Sequence, residues 1–337
     1  MLHHSELRQD LVSGDWIVIA PSRARSPGHL IKKTKTKRIK TSIKDCPFEN
    51  PEKNVNKKPI IIYPQPTNGN QRLEWKVMIV GNKYPAFVHK NICAQIGENG
   101  PYSVMEGIGH HDLVITRNHN INFAHLDKRT AFLVFKAFQK RYLMLAKDSC
   151  LSYISIFHNW GPKAGASVYH PHYQIIAIPV VPSDIEHSLL GAARYFHKHK
   201  KCVHCAMIEY EKKTGKRVIY ENKEAIAFAP FVSCEPFELR IFPKSHQSRF
   251  ENSSDKNLEF VADALQKSLL KIEKKLGDPD YNFFIHTAPL LGKKEYKHYH
   301  WHIEIQPKIS ISAGFELGTG IEITVVDPDE AAKLLKQ

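Results

Sequence analysis

The chain has 337 residues, of which 42% are hydrophobic, so it is long enough for two ordinary domains or for one domain built from two similar halves. No run of about 18 apolar residues occurs, and the first six residues lack the apolar core of a secretion signal, so we expect a soluble cytoplasmic protein and no membrane partner. Lysine and arginine exceed aspartate and glutamate by 14, which favours anionic partners such as nucleotides or sugar phosphates.

Part of this positive charge is concentrated in one segment with few apolar residues. The basic residues of the segment are Lys32, Lys33, Lys35, Lys37, Arg38, Lys40 and Lys44. Like charges repel one another and are easily hydrated, so we expect a solvated loop. Contact with substrate or nucleic acid is the alternative interpretation.

Cysteines are the next informative residues, at positions 46, 93, 150, 202, 205 and 234. Because no secretion signal is found, we do not expect a disulfide framework. A Cys-x-x-Cys pair such as Cys202 and Cys205 is more often metal-binding or redox-active in such a chain.

Strand and helix patterns of the first half place three polar residues together. In chain order we predict a turn at residues 14–15, strands over 16–20 and 111–116, a turn with His119, a helix over 127–146, and strands over 153–157 and 170–178. Alternate residues of a strand share one face of the sheet. His170, His172 and Gln174 are therefore expected to converge beside the turn-rich residues 159–167.

The second half repeats this order of parts. It predicts a strand over residues 237–241, a turn with His246, a helix over 255–276, strands over 281–286 and 300–306, a glycine-punctuated loop at 314–320 and a helix over 327–336. His119 and His170 are 51 residues apart and His246 and His300 are 54 apart, which indicates an internal duplication. Strands joined by short connections favour an α+β fold with antiparallel sheet and helices on one side.

In the second half, a metal site is expected. Cys202 and Cys205 supply two thiolates at the spacing of a zinc half-site. The repeat would bring His246 and His300 to the same place, so we predict a tetrahedral Cys₂His₂ zinc site. A redox dithiol and ordinary reduced cysteines are the alternatives.

The first half offers an equivalent set in Cys46, Glu49, His119 and His170, in which a glutamate replaces the second cysteine. Because a carboxylate can also ligate zinc, this set either holds a metal or remains without one. Zinc is therefore expected first of all at the second-half site. Either metal would be structural and would hold the histidine-bearing strand in place.

A second histidine alternation occurs at His298-Tyr299-His300-Trp301-His302. Glu304 follows at the position where the first half has Gln174. We therefore expect these histidines to serve the metal and the core, and we do not expect a second catalytic site.

The run Gly165-Ala166-Ser167-Val168-Tyr169-His170-Pro171-His172-Tyr173-Gln174 resembles the active-site signature of the galactose-1-phosphate uridylyltransferase family, a branch of the histidine-triad superfamily. Motifs similar to the family's follow in its order along nearly the whole chain: Arg23-Ala24-Arg25 with Pro27, Asn82-Lys83-Tyr84-Pro85, Asn159, Cys202-Val203-His204-Cys205, His286-Thr287-Ala288-Pro289 and Gly314-Phe315-Glu316. Two residues depart from the pattern: Ser26 replaces the family's arginine before the N-terminal proline, and Glu49 replaces a metal-binding cysteine.

This resemblance implies two histidine-triad-like halves of antiparallel sheet with helices packed on them. Residues 1–180 would form the half with the catalytic His-Pro-His-x-Gln motif, and residues 181–337 the half with the zinc site. It also implies a homodimer, in which the loop at residues 314–320 reaches the active site of the neighbouring subunit.

The resemblance also implies roles for single residues. His172 matches the nucleophile, Gln174 the amide at the transferred phosphoryl group, and His170 a metal ligand. Ser167 and Asn159 match polar contacts near the phosphates, Asn82 a residue near the nucleoside, and Arg23 a basic contact at the substrate phosphates. Phe315 and Glu316 belong to the loop that would reach the neighbouring active site. Gly165 is a further candidate, because a glycine turn can bring backbone N–H groups close to phosphate oxygens.

These residues together predict a nucleotidyltransferase that acts on sugar nucleotides through a covalent nucleotidyl-histidine. The main interpretation is a UDP-glucose–hexose-1-phosphate uridylyltransferase of galactose metabolism, with a hexose 1-phosphate or phosphate as second substrate. The alternative in the same family is an adenine-nucleotide enzyme, either an ADP-glucose phosphorylase or an adenylyltransferase for ATP and dinucleoside polyphosphates. A zinc-stabilised nucleic-acid-binding protein is the alternative from another class, but the histidine partners lie too far along the chain for a compact finger.

Overall fold

A computed structural model describes residues 4–23, 40–51, 58–64, 75–290 and 296–337. Most of the basic segment, from Lys32 to Arg38, lies outside the described residues, as do Arg25, Ser26 and Pro27. In the part of the chain that the structure describes, each helix is too short or too polar to cross a lipid bilayer.

The described residues form fifteen strands and six helices. The strands are β1 (Glu6–Gln9), β2 (Trp16–Ile19), β3 (Ile61–Tyr63), β4 (Val77–Gly81), β5 (Ile96–Asn99), β6 (Tyr102–Met105), β7 (His110–Thr116), β8 (Tyr153–Trp160), β9 (His172–Ile178), β10 (Val218–Glu221), β11 (Ala225–Phe228), β12 (Leu239–Pro243), β13 (Tyr281–His286), β14 (His302–Pro307) and β15 (Ile323–Thr324). The helices are α1 (Lys128–Leu145), α2 (Ser183–His199), α3 (Val203–Thr214), α4 (Asp255–Leu276), α5 (Gly314–Thr319) and α6 (Pro328–Lys336).

The main sheet has ten strands, all antiparallel to their neighbours, in the order β10-β11-β12-β14-β13-β8-β9-β7-β4-β3. From the centre outward, the strands of the first half are β8, β9, β7, β4 and β3, and those of the second half are β13, β14, β12, β11 and β10. Among the main-sheet strands of each half, this is the fourth, fifth, third, second and first in chain order. The α+β architecture predicted from the sequence is thereby confirmed. A division into units 1–180 and 181–337 agrees with this repeated order and stays a prediction.

One hydrophobic core joins the two halves. Tyr173 and Ile175 of β9 are fully buried in the same cluster as Phe135 of α1 and Leu265 of α4. Since strand side chains alternate between faces, His172 and Gln174 point to the opposite face of the sheet. The long helices α1 and α4 thus cover one face, and His172 and Gln174 lie on the other.

The two long helices begin where the sequence predicts them. The Asp127 side chain accepts a hydrogen bond from the Thr130 N–H at the start of α1, and Ser254 accepts one from Asn257 at the start of α4. Such N-caps satisfy amide groups that the first turn of a helix leaves unpaired. Gly277 ends α4 in a left-handed conformation, with φ of 76°.

His170 and the segment predicted as a loop at residues 314–320 differ from the sequence-based expectations. His170 lies before β9 and outside the strand. Residues 314–319 form α5, because the Glu316 carboxylate accepts a hydrogen bond from the Ala313 N–H and Gly320 ends the helix in a left-handed conformation. Capping at both ends favours the short helix despite its glycines.

Cys93 and Cys150 are joined as a disulfide, with a Cα–Cα distance of 5.0 Å, although no disulfide framework was expected. The fold brings together the segment after β4 and the segment after α1, which are 57 residues apart at these positions. The sequence offers no local signal for this pairing. Cys46, Cys202, Cys205 and Cys234 are free thiols.

Gly191→Ala is expected to destabilise the fold. A Cβ at Gly191 of α2 would lie 1.7 Å from the carbonyl oxygen of Val12, so the backbone would have to shift. Overpacking of this kind costs about 1–3 kcal/mol, and we expect a lower urea midpoint of unfolding. Gly97→Ala is the control, because its added Cβ meets its nearest neighbour, Val104, at an ordinary 3.7 Å. Equal midpoints for the two variants would contradict the prediction.

Candidate active site

A glycine-containing turn joins the central strands β8 and β9 and leads into His172. Gly161 and Gly165 both have φ of 87°, a conformation that L side chains rarely adopt. The N–H of Ala166 donates a hydrogen bond to the Gly161 carbonyl at 3.1 Å, which closes the turn. Ser167 lies exposed in the same turn. The sequence therefore dictates a tight, small-residue turn beside the first residue of β9.

The strand register gathers the polar residues on the face opposite α1 and α4. Gln174 of β9 pairs with Phe157 of β8, and Asn159 of β8 pairs with Asn282 of β13. His172, Gln174 and Asn159 consequently share one face of neighbouring strands. The alternation predicted from the sequence holds for His172 and Gln174, whereas His170 contributes to a different cluster.

His172 is fixed in one tautomer. Its Nδ1 lies 2.9 Å from the carbonyl oxygen of His170, which can only accept, so Nδ1 carries the proton and donates. The lone pair is therefore on Nε2. The residue is 7% exposed, and burial lowers the pKa of His172 below 6.5, so the ring is neutral at pH 7. Phe48 packs against it with ring centroids 4.8 Å apart.

Gln174 contacts a histidine whose role the sequence analysis missed. Its Oε1 lies 2.8 Å from Nε2 of His111 on β7. Asn82, placed near the nucleoside by the family resemblance, also approaches this nitrogen, with its Nδ2 at 3.1 Å. The sequence singles out His111 only as the start of a strand, because its contact with Gln174 spans 63 residues.

Asn159 is oriented by Asn282, which the sequence analysis also missed. The Asn282 Nδ2 donates to Asn159 Oδ1 and to the Ala164 carbonyl, both at 2.8 Å. This leaves the amide nitrogen of Asn159 on the side of Gly165, where an added Cβ would lie 3.6 Å from it. Asn282 thus links the turn to the neighbouring half of the sheet.

The remaining predicted substrate residues lie on surface elements. Arg23 is exposed at the end of a short 3₁₀ turn, Pro21–Arg23. Phe315 of α5 is 49% exposed, and the Glu316 carboxylate caps its own helix. Among the described residues, no hydrogen bond joins Glu316 to β8 or β9.

In the first metal-ligand set, donor atoms of Cys46, His119 and His170 lie within 4.8 Å of one another, and Glu49 lies beside the two histidines. Nδ1 of His170 lies 3.5 Å from both Cys46 Sγ and Glu49 Oε1, and Nδ1 of His119 lies 3.3 Å from Glu49 Oε1. A tetrahedral zinc ion with ordinary bond lengths separates its S, N and O ligands by about 3.3–3.6 Å. The spacing of these atoms therefore fits zinc.

Backbone contacts orient both histidines of this set. Nε2 of His170 donates to the Thr116 carbonyl at 2.7 Å, and Nε2 of His119 donates to the Thr41 carbonyl at 2.9 Å. Each Nδ1 is thereby left with its lone pair, and that of His119 is buried without a hydrogen-bond partner. Burial lowers the pKa of His170 to about 4, which keeps the ring neutral as metal binding requires. Arg117 donates to the other oxygen of Glu49 at 2.7 Å.

The second set, Cys202, Cys205, His246 and His300, also comes together, with one donor atom of each residue within 4.8 Å of the others. Cys205 Sγ lies 3.3 Å from Nδ1 of His246 and 3.6 Å from Nδ1 of His300. Two thiols and two imidazoles at these distances are the donor set of a structural zinc site.

The second histidine alternation does not reproduce the site around His172. Nδ1 of His302 does donate to the His300 carbonyl at 3.0 Å, as in the first half. However, Glu304, at the position equivalent to Gln174, is paired with Arg240 at 3.2 Å. A carboxylate at this position would repel an anionic substrate, which agrees with the expectation of a single catalytic site.

The first-half arrangement combines a neutral imidazole, two side-chain amides and a glycine-containing turn. Side-chain N–H groups stabilise negatively charged oxygens, and imidazole attacks electrophiles near neutral pH. Such a site suits an electrophilic phosphorus that carries anionic oxygens.

Comparisons with known proteins point to the family that the sequence motifs resemble. Residues 1–182 match the family model described as galactose-1-phosphate uridyl transferase, N-terminal domain. Residues 95–336 match a model described as a domain of unknown function, DUF4921.

Similarity to characterised proteins extends over the whole chain. An ADP-glucose phosphorylase from Arabidopsis thaliana is 33% identical, covering 98% of this chain and 92% of its own. A galactose-1-phosphate uridylyltransferase from Thermotoga maritima is 26% identical, covering 98% of both chains. A crystal structure of an ADP-glucose phosphorylase from Arabidopsis thaliana with bound ADP-glucose superposes with a TM-score of 0.82 at 31% identity, covering 99% of both chains.

Proposed function

Because this chain belongs to the galactose-1-phosphate uridylyltransferase family and is a nucleotidyltransferase of that family, we propose that it splits a nucleoside diphosphate sugar through a nucleotidyl group carried on His172. The single observation that carries the proposal is the tautomer of His172. Its Nδ1–H is held by the His170 carbonyl, so the Nε2 lone pair is available for attack.

In the first step, Nε2 of His172 attacks the α-phosphorus of the sugar nucleotide. A P–N bond forms as the bond from the α-phosphorus to the bridging oxygen breaks, and the sugar 1-phosphate leaves with that electron pair. The side-chain amide N–H groups of Gln174 and Asn159, together with the Ser167 hydroxyl, would stabilise the charge on the non-bridging oxygens.

In the second step, an oxygen of the acceptor phosphate attacks the same phosphorus. The P–N bond breaks, and its electron pair returns to Nε2 of His172. The acceptor brings its own ionised oxygen, so a proton-transferring group is not needed at the position of Gln174, whose amide does not exchange protons as an imidazole does. This favours transfer to a phosphate over hydrolysis.

We propose ADP-glucose as the nucleotide substrate and inorganic phosphate as the acceptor, which gives ADP and glucose 1-phosphate. The 33% identity to an ADP-glucose phosphorylase, against 26% to a uridylyltransferase, supports the adenine-nucleotide alternative over the uridylyl interpretation favoured by the sequence analysis.

A substrate panel tests this choice. We expect ADP-glucose with phosphate to give ADP and glucose 1-phosphate at least ten times faster than UDP-glucose reacts with galactose 1-phosphate. The measurement is initial rates with chromatographic separation of the nucleotides, with reactions lacking phosphate as the control for hydrolysis. If UDP-glucose with galactose 1-phosphate reacts faster than ADP-glucose with phosphate, the chain is a uridylyltransferase instead.

Metal and partner roles complete the proposal. Zinc at Cys202, Cys205, His246 and His300, and at the set with Cys46 and Glu49, would neutralise the ligands and tie distant segments together.

In a homodimer, α5 with Phe315 and Glu316 would meet the neighbouring active site, because Ile311 and Leu317 in this segment are 92% and 78% exposed. Arg23 would contact the substrate phosphates. Light scattering in solution would test the dimer.

A further inference from the structure

His111 makes three polar contacts with its two ring nitrogens. Nδ1 accepts a hydrogen bond from the backbone N–H of Ala86 at 3.1 Å. Nε2 lies 2.8 Å from Oε1 of Gln174 and 3.1 Å from Nδ2 of Asn82. Since a neutral imidazole has one donor and one acceptor nitrogen, these contacts determine its tautomer.

The Ala86 contact decides which nitrogen is protonated. A backbone amide can only donate, so Nδ1 of His111 must present its lone pair, and the proton must be on Nε2. An Nε2–H needs an acceptor. Of the two groups near it, Asn82 presents an NH₂, because the Asn82 Oδ1 already accepts from the Tyr84 N–H at 3.0 Å. The acceptor is therefore Oε1 of Gln174.

This hydrogen bond sets the direction of the Gln174 amide. With Oε1 held by His111, the NH₂ group of Gln174 is turned away from His111. Asn82 already presents a donor to the Nε2–H of His111, so the reverse orientation of Gln174 would leave this N–H without an acceptor and would turn the carbonyl oxygen to the site. A carbonyl there would repel the anionic oxygens of a phosphoryl group.

We propose that His111 is a positioning residue, which holds Gln174 so that its amide N–H groups face the phosphoryl group carried by His172. The inference rests on the proposed function and adds a residue that acts through Gln174 without touching the substrate. The chain of contacts runs from the Ala86 backbone through His111 to Gln174, so the amide direction is set on β7 and not on the catalytic strand itself.

A double-mutant cycle tests the proposal through the rate at which labelled ADP-glucose modifies His172 in a single turnover. His111→Leu removes the N–H that holds Gln174. We expect the rate to fall about 10- to 100-fold, because a Gln174 amide that is turned away from the phosphoryl group stabilises the transition state little better than no amide at all. In a Gln174→Ala background, the same change should lower the rate less than about 3-fold. His111→Gln, whose amide nitrogen lies near the position of Nε2, should recover part of the loss.

The neighbouring histidine provides a matched control. His110 of the same strand stacks on His89 with ring centroids 4.4 Å apart, so His110→Leu removes an imidazole from β7 without touching Gln174. We expect its rate to stay within 2-fold of wild type. Thermal unfolding of each variant verifies that the fold is retained.

The possible outcomes separate the two proposals. If wild type becomes labelled but His111→Leu costs as much in the Gln174→Ala background as alone, or costs nothing, the positioning role is overturned and the proposed function stands. If neither ADP-glucose nor UDP-glucose labels the wild-type protein, the proposed function falls and the inference falls with it.

Discussion

Replacing His172 by alanine is expected to lower nucleotidyl transfer at least about 10⁴-fold, because the variant has no group to form the covalent intermediate. The Nδ1–H of the ring is held by the His170 carbonyl, which leaves the lone pair on Nε2. Gln174 and Asn159 on this face are amides, and the two ring nitrogens of His111 are held by the Ala86 N–H and by Gln174, so none of the three replaces His172 as nucleophile.

Two measurements check this prediction. Initial rates with ADP-glucose and phosphate report turnover, and intact-protein mass spectrometry after exposure to ADP-glucose alone reports the added nucleoside monophosphate. His187→Ala, which removes a half-exposed histidine of α2, is the control and should keep both signals. A His172→Ala protein that still gains this mass at the wild-type rate would show that another residue is the nucleophile.

Loss of the second-half zinc site is expected to have the largest effect on stability. Cys202, His246 and His300 belong to three segments that are far apart in sequence, and a shared ion would hold them together. Zinc present at 1,000 times its dissociation constant adds about 4 kcal/mol to the free energy of unfolding. Cys202→Ser should lose this contribution and one zinc per chain.

Elemental analysis and thermal unfolding test this expectation together. Cys234→Ser is the matched control, because Cys234 is also a partly buried free thiol but lies outside both ligand sets. It should retain the wild-type zinc content and unfolding temperature. Identical zinc content in Cys202→Ser and wild type would contradict the assignment of the ligands. Loss of zinc without loss of stability would contradict only the structural role.

Local patterns in the sequence determined the main parts of the fold and the centre of the site. Alternation over residues 170–178 placed His172 and Gln174 on one face, and the capped helix over residues 255–276 was predicted with its observed bounds. Both follow from short-range geometry, a period of two in a strand and of 3.6 in a helix. Equal spacing in the two halves also predicted two metal-ligand sets, and the structure groups Cys202, Cys205, His246 and His300 in one and Cys46, His119 and His170 in the other.

Contacts between distant segments were decided only by the tertiary structure. His111 reaches Gln174 across 63 residues and Asn282 reaches Asn159 across 123, and both depend on the order and register of strands β7, β9, β8 and β13. The disulfide between Cys93 and Cys150 has the same origin. Strand order and register are set by the packing of the whole sheet on its helices, which no local period encodes. The sequence thus pointed to the residue that we propose as nucleophile, whereas the fold determined which residues orient the groups around it.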